Sequence, residues 1–173
     1  IDGIDGLAGT VAVIVLLSFG LWFYLVGGHS YVILTASLAG GILAFLKYNY
    51  APAKIFMGDT GALTIGFIMA IISIQSIEIN ALLPQSHAVV FNCPVTASIT
   101  VMLYPLLDTI RVFTLRVLEG RSPFAPDKKH IHHLLIRTAN SHLTAVIIIG
   151  IINILMIAFV FVFLREESDW VAL

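Results

Sequence analysis

The hydrophobic pattern of this chain consists of five long apolar stretches separated by short polar segments. Each stretch is close to the roughly 17–25 residues with which an α-helix crosses the hydrocarbon core of a bilayer. The predicted membrane spans are residues 7–28, 30–46, 60–77, 88–107 and 143–164. Pro94 and Pro105 lie inside the fourth span, where we expect proline to kink or break the helix. The pattern predicts an all-α, polytopic integral membrane protein with about five transmembrane helices.

Composition agrees with a membrane protein. Hydrophobic residues make up 59% of the 173 residues and charged residues only 11%, whereas soluble domains have roughly 25% charged residues. With a formal net charge of −1 and no basic arm, we expect no nucleic acid partner. We interpret residues 1–173 as a single membrane domain. Because the chain begins Ile1-Asp2-Gly3 without an initiator Met, we expect it to be the C-terminal part of a larger protein.

The distribution of positive charge predicts the orientation in the membrane. Five spans place residues 1–6, 47–59 and 108–142 on one side, and the turns near 28 and 80–87 and the C-terminus on the other. The positive residues of the first side are Lys47, Lys54, Arg111, Arg116, Arg121, Lys128, Lys129 and Arg137. The second side has Arg165 alone. Since positively charged residues stay in the cytoplasm, loops 47–59 and 108–142 are predicted to be cytoplasmic.

Two polar motifs with carboxylates lie on this predicted cytoplasmic side. Asp2-Gly3-Ile4-Asp5-Gly6 combines Asp2 and Asp5 with glycines that let backbone approach a ligand. An N-cap for the first helix explains this motif equally well. The second motif, residues 53–61, contains Asp59, which with Thr60 is a candidate cap for the third helix.

The functional alternative is that residues 53–61 bind a divalent cation and phosphate. Mg²⁺ usually takes one or two carboxylates together with substrate phosphates, a role that suits Asp59. Phe56 offers a face for stacking, and Lys54 offers a positive partner for phosphate.

Loop 108–142 contains a third motif, which is rich in positive and imidazole side chains. Its candidate ligand-binding residues are Arg121, Lys128, Lys129, His130, His132 and His133. Three imidazoles in four residues suggest zinc, but no cysteine or further acid completes a closed tetrahedral site nearby. We therefore interpret the motif as an electropositive cradle for phosphate. The alternative is a solvated positive loop without a ligand.

In their order and spacing between spans, these motifs resemble the polyprenyl-phosphate N-acetylhexosamine-1-phosphate transferase superfamily, glycosyltransferase family 4. The matching segments are residues 2–9, residues 53–61, and residues 121–127 running into His130-Ile131-His132-His133. The His-x-His-His form resembles the undecaprenyl-phosphate N-acetylglucosaminyl 1-phosphate transferase branch. The phospho-muramoyl-pentapeptide transferase branch, which has three consecutive histidines, is the alternative.

The resemblance implies an enzyme of the bacterial inner membrane that transfers a sugar-1-phosphate from a UDP-sugar to undecaprenyl phosphate and releases UMP. Such a reaction initiates cell-surface polysaccharide synthesis. The implied cofactor is Mg²⁺, with Mn²⁺ as a substitute, and a homodimer is one assembly compatible with the family.

The resemblance also implies a role for each matching residue. Asp59 would bind the metal and Phe56 would stack near the uracil, while Asp2 and Asp5 would line the nucleotide pocket. The histidine motif and the neighbouring cations would contact the diphosphate, and the implied catalytic residues are Asp59, His130, His132 and His133. The aspartate pair that the family has in an earlier cytoplasmic loop would precede Ile1, so we expect this chain alone to be inactive.

Two other classes of function compete with a transferase. Transporters usually place ionisable residues near the bilayer midplane, and none of the five predicted spans has one in its interior. A purely structural membrane scaffold would not need clustered Asp and His residues on one side.

Overall fold

The computed structural model describes residues 4–84, 86–118, 120, 122 and 141–163. These residues form helices and connecting segments, with no β-strand among them. The helices are α1 (Leu7–Leu25), α2 (His29–Asn49), α3 (Gly58–Leu82), α4 (Pro94–Val101), α5 (Leu103–Leu118) and α6 (His142–Phe163). In this part of the chain, α1, α2, α3 and α6 as far as Phe159 are long and apolar enough to cross a membrane. The prediction of an all-α polytopic membrane protein is confirmed.

Helix α1 lies at the centre of the bundle. It packs against α2, α3 and α6, while α4 packs against α3 and α6. Leu7, Leu16 and Phe23 of α1 are among the largest fully buried side chains of the described residues. The other helices expose large apolar side chains, including Ile33, Leu63, Phe67, Ile151 and Leu155. Exposed apolar faces around an apolar core are what a membrane bundle requires, because lipid tails are as apolar as the side chains that face them.

The end of α1 is determined by glycines rather than by the limit of the apolar run. Gly27 has a φ of 78° and donates its N–H to the Tyr24 carbonyl at 3.2 Å. Gly28 donates to the Phe23 carbonyl at 2.8 Å. This pair of bonds is a Schellman motif, in which a left-handed residue closes the helix. The helix therefore ends at Leu25, earlier than the predicted span of residues 7–28.

The fourth predicted span, residues 88–107, is not a single helix. Helix α4 begins with Pro94 at its first position and ends at Val101, and α5 begins at Leu103. Pro105 has no N–H to donate to the Val101 carbonyl, so the helix breaks there, as expected for proline. Residues 88–93 are apolar except for Asn92, and they are non-helical. The described part of the chain accordingly has four candidate membrane-spanning helices where five were predicted.

Side-chain hydrogen bonds fix residues 88–93 to the bundle. The Asn80 amide accepts the Phe91 N–H at 2.9 Å and donates to the Phe91 carbonyl at 3.0 Å. The indole N–H of Trp22 donates to the Val89 carbonyl at 3.1 Å. These backbone groups are thus satisfied without a helix, which lets an apolar segment remain as a loop at this end of the bundle.

Candidate functional site

At the opposite end of the bundle, the buried side chain of Asn49 joins the start of α1 to the segment between α2 and α3. Its Oδ1 accepts the Gly6 N–H at 3.0 Å, and its Nδ2 donates to the Ile55 carbonyl at 2.8 Å. Asn49 is the last residue of α2 and only 4% exposed. One amide therefore positions the Asp5-Gly6 motif relative to the segment that contains Lys54 and Phe56.

Gly6 is the N-cap residue of α1, and its backbone requires glycine. Its φ is 80°, in the left-handed region that L side chains rarely adopt. A Cβ at this position would also lie 2.7 Å from Cδ1 of Tyr50. The Tyr50 hydroxyl is in turn 3.1 Å from Oγ1 of Thr10. The close approach of the Tyr50 ring to α1 thus depends on the absence of a side chain at Gly6.

Gly6→Ala is expected to destabilise the protein more than Gly27→Ala. Both glycines have a φ near 80°, and forcing alanine into that region costs about 1–2 kcal/mol. A Cβ on Gly27 meets nothing within 4 Å, whereas one on Gly6 overlaps the Tyr50 ring and adds about 1–3 kcal/mol. Thermal unfolding in a single detergent measures the difference, and equal midpoints for the two variants would contradict it.

The Asp5 carboxylate connects three segments at this end of the bundle. Its Oδ2 accepts the Ala53 N–H at 3.1 Å and lies 3.8 Å from Nδ1 of His142, the first residue of α6. The N-cap residue of α1 is Gly6, and no side chain makes a capping hydrogen bond there. The capping alternative for Asp5 is therefore wrong, since its carboxylate bonds across the chain instead.

Lys54 and Phe56 lie in the segment that Asn49 and Asp5 hold. The backbone N–H of Lys54 donates to the Tyr48 carbonyl at 2.8 Å, which turns the chain back against the end of α2. Both side chains are exposed, and the Phe56 ring is 75% exposed. An aromatic ring on a fixed backbone with that much free surface is available for stacking.

Asp59 is exposed in the first turn of α3 and does not cap it. The helix begins at Gly58, which has a φ of 68°, after an N-cap at Met57 that makes no side-chain hydrogen bond. The capping alternative for Asp59 and Thr60 is therefore wrong. A carboxylate in a first turn is favoured by the partial positive charge of the helix N-terminus, and the oxygens of Asp59 are not used to cap the backbone.

These properties fit a magnesium ligand. Asp59 presents a hard carboxylate oxygen to solvent, and Mg²⁺ commonly uses one or two carboxylates and completes its coordination with water and phosphate. Within the described residues, no group of three or more His, Cys, Asp or Glu side chains is arranged to hold a metal. The assignment of a metal to Asp59 stays a prediction.

The structure brings part of the predicted site together. It places Asp5 next to Ala53, and so next to the segment that contains Lys54 and Phe56 and leads into Asp59. The remaining candidates lie outside the described residues: Asp2, Arg121, Lys128, Lys129, His130, His132 and His133. Their roles stay predictions. The chain re-enters the described region at Ser141, and His142 lies beside Asp5.

Sequence reasoning missed two residues of this end of the bundle. Asn49 received no role, although it is an uncharged polar residue at the end of an apolar helix between two tyrosines. His142, which directly precedes the fifth predicted span, was likewise not among the candidate site residues. Their partners near the start of α1, Gly6 and Asp5, are distant in sequence, so no local spacing could have identified these contacts.

Comparisons with known proteins converge on one family. The family model described as glycosyl transferase family 4 matches residues 1–77. Decaprenyl-phosphate N-acetylglucosaminephosphotransferase of Mycolicibacterium smegmatis is 35% identical over 160 residues, covering 86% of this chain and 39% of that relative. The probable undecaprenyl-phosphate N-acetylglucosaminyl 1-phosphate transferase of Bacillus subtilis is 34% identical over 175 residues, covering 100% and 46%. Undecaprenyl-phosphate alpha-N-acetylglucosaminyl 1-phosphate transferase of Escherichia coli K12 is 31% identical over 153 residues, covering 86% and 39%.

The chain thus spans 39% to 46% of the length of these curated relatives. No solved structure matches it at a significant level.

Proposed function

The chain belongs to glycosyl transferase family 4, and from this premise we propose that it forms part of a membrane enzyme that transfers N-acetylglucosamine 1-phosphate from UDP-N-acetylglucosamine to a polyprenyl phosphate. The observation that carries the proposal is the end of the bundle where Asp5 and Asn49 fix residues 50–57 ahead of Asp59. Carboxylates, a lysine and an exposed aromatic ring are gathered there at the mouth of a bundle of apolar helices.

The proposed reaction exchanges one phosphoanhydride bond for another. A phosphate oxygen of the lipid attacks the phosphorus that bears the sugar, and the bond from that phosphorus to the bridging oxygen breaks. UMP leaves with the bonding electrons, and the lipid keeps a pyrophosphate-linked sugar. In phosphoryl transfer of this kind the protein positions the reactants and stabilises the developing charge, and it contributes little covalent chemistry.

We assign a role in positioning and charge stabilisation to each candidate residue of this end of the bundle. Lys54 offers positive charge to the diphosphate, and Phe56 offers its exposed ring to the uracil. Asp5, held by the Ala53 N–H, borders the nucleotide. Asp59 would hold Mg²⁺, which supplies charge neutralisation at the diphosphate oxygens. Arg121, Lys128, Lys129 and the histidine motif would contact the remaining phosphate charge.

The proposed location explains why the site lies at a helix end. A polyprenyl acceptor stays in the bilayer, whereas a UDP-sugar is soluble, so the two can meet only at the membrane surface. The excess of lysine and arginine on this side favours the cytoplasmic surface. We propose the bacterial inner membrane as its location, because the relatives reported above come from bacteria.

Reconstitution of the complete gene product that contains this chain tests the proposal. Vesicles containing the protein, undecaprenyl phosphate and Mg²⁺ are supplied with radiolabelled UDP-N-acetylglucosamine. We expect a lipid-linked pyrophosphoryl sugar and UMP in equal amounts, and little product from UDP-N-acetylmuramoyl-pentapeptide. Entry of the UDP-sugar into sealed vesicles without a lipid product would indicate a transporter instead.

A further inference from the structure

His142 is placed to act on the donor site through Asp5. It is the first residue of α6, and its Nδ1 lies 3.8 Å from Oδ2 of Asp5. That oxygen also accepts the Ala53 N–H at 3.1 Å. No described residue donates a hydrogen bond to the other carboxylate oxygen of Asp5, Oδ1. The contacts thus hold one oxygen and leave the second for a ligand.

The separation of His142 from Asp5 suits a contact that tightens when substrate binds. It is longer than a direct hydrogen bond, which has N···O distances of about 2.7–3.2 Å, but within the range of an ion pair. Hydrogen bonds of functional groups are often long in unliganded proteins and shorten in the complex. An N–H on Nδ1 can then donate to the carboxylate.

We propose that His142 is a positioning residue for the donor nucleotide: it orients the Asp5 carboxylate, together with the Ala53 N–H, so that the other oxygen faces the UDP-sugar. This inference rests on the proposed function. It also gives α6 a role at the site, because the contact ties the start of that helix to α1 and to residues 50–57. Residues 121–133, predicted to contact phosphate, precede α6 in the chain.

A purely structural role fits His142 less well. Its side chain is 45% exposed, and that of Asp5 is 23% exposed. Helix α6 is anchored instead by buried apolar residues in its next turns, Ala145, Val146 and Ile149. Removing the imidazole therefore leaves the packing of α6 in place. We expect it to weaken donor binding and to leave the stability of the protein unchanged.

Substitution of His142 in the complete, reconstituted protein tests the inference. We expect His142→Ala to raise the KM for UDP-N-acetylglucosamine about fivefold, the loss typical of one hydrogen bond between partly exposed side chains. The KM for polyprenyl phosphate and the unfolding midpoint should not change. His142→Asn, whose amide nitrogen lies near the position of Nδ1, should restore most of the donor affinity.

The matched control is His29→Ala. His29 is also an exposed histidine at the first position of a helix, α2, but at the other end of the bundle. It should leave both KM values unchanged. An equal effect of the two alanine variants on the donor KM would overturn the inference.

A double-mutant cycle identifies the route of the effect. If His142 acts through Asp5, His142→Ala has no further effect on the donor KM in an Asp5→Asn background. An undiminished effect in that background overturns the inference, as does an unchanged donor KM in the single variant when the wild-type protein is active. A wild-type protein that binds UDP-N-acetylglucosamine calorimetrically but forms no lipid product contradicts the proposed function instead. In that case the calorimetric Kd replaces KM, and His142→Ala must still weaken it about fivefold.

Discussion

Asp59→Asn is expected to lower the kcat/KM for UDP-N-acetylglucosamine by at least about 100-fold in the complete protein, the loss typical of one group that stabilises transition-state charge. The substitution keeps the shape of the side chain and removes its charge. Because Asp59 is exposed and makes no capping hydrogen bond, the fold does not depend on its carboxylate. Transfer rates measured against Mg²⁺ concentration should also show that the variant needs more metal.

Glu78→Gln is the matched control for Asp59→Asn. Glu78 is an exposed carboxylate on the same helix, near the opposite end, where it accepts a hydrogen bond from Gln75 at 3.0 Å. Neutralising it should change neither the transfer rate nor its dependence on Mg²⁺. The loss of helix-dipole stabilisation at Asp59 costs only about 0.3–1 kcal/mol, so both variants should remain folded. Wild-type turnover by Asp59→Asn would exclude it as the metal ligand.

The apolar runs predicted the helices well wherever only a helix can pair the backbone N–H and carbonyl groups of the segment. In a bilayer each unpaired backbone N–H or carbonyl costs several kcal/mol. A long uncharged run therefore predicts a helix, in which these groups pair with one another. Residues 88–93 escape this rule because Asn80 and Trp22 supply hydrogen bonds to Phe91 and Val89. The hydropathy of residues 88–93 does not indicate those hydrogen-bond partners. The predicted fourth span, residues 88–107, therefore included a segment that is not helical.

The site shows the same division between local and long-range information. The motifs placed Asp5 and Asp59 at one end of the bundle, because charge is costly elsewhere in a membrane protein. The hydrogen-bond partner of each carboxylate could not be predicted. The sequence offered a helix cap for both, but the N-cap residues are Gly6 and Met57, and no side chain makes a capping hydrogen bond at either helix. The contact of Asp5 with His142 joins the segment just before the first helix to the start of the last described helix, and no spacing in the sequence indicates it.

Asn49→Ala should be among the most destabilising single substitutions at this end of the bundle. It removes the acceptor of the Gly6 N–H and the donor to the Ile55 carbonyl, and a buried backbone group left unpaired costs about 1–3 kcal/mol. Two such groups amount to about 2–4 kcal/mol, allowing for partial rehydration. The expected consequence is an unfolding midpoint lower by about 5–10 °C, with weakened donor binding, because residues 50–57 lose their link to α1.

Asn153→Ala separates the lost hydrogen bonds from the cavity. Asn153 is buried in α6 to a similar degree, at 2% exposed, but its Nδ2 has no hydrogen-bond partner in the part of the chain described. Both variants delete the same amide from a buried position, so the difference between their midpoints reports the bonds of Asn49. We expect Asn153→Ala to be close to neutral, because an unpaired buried amide is itself unfavourable. Equal midpoints would show that the Asn49 amide does not hold the start of α1 to residues 50–57. The precise alignment of Asp5 with the segment ahead of Asp59 would then have to come from the Asp5–Ala53 hydrogen bond alone.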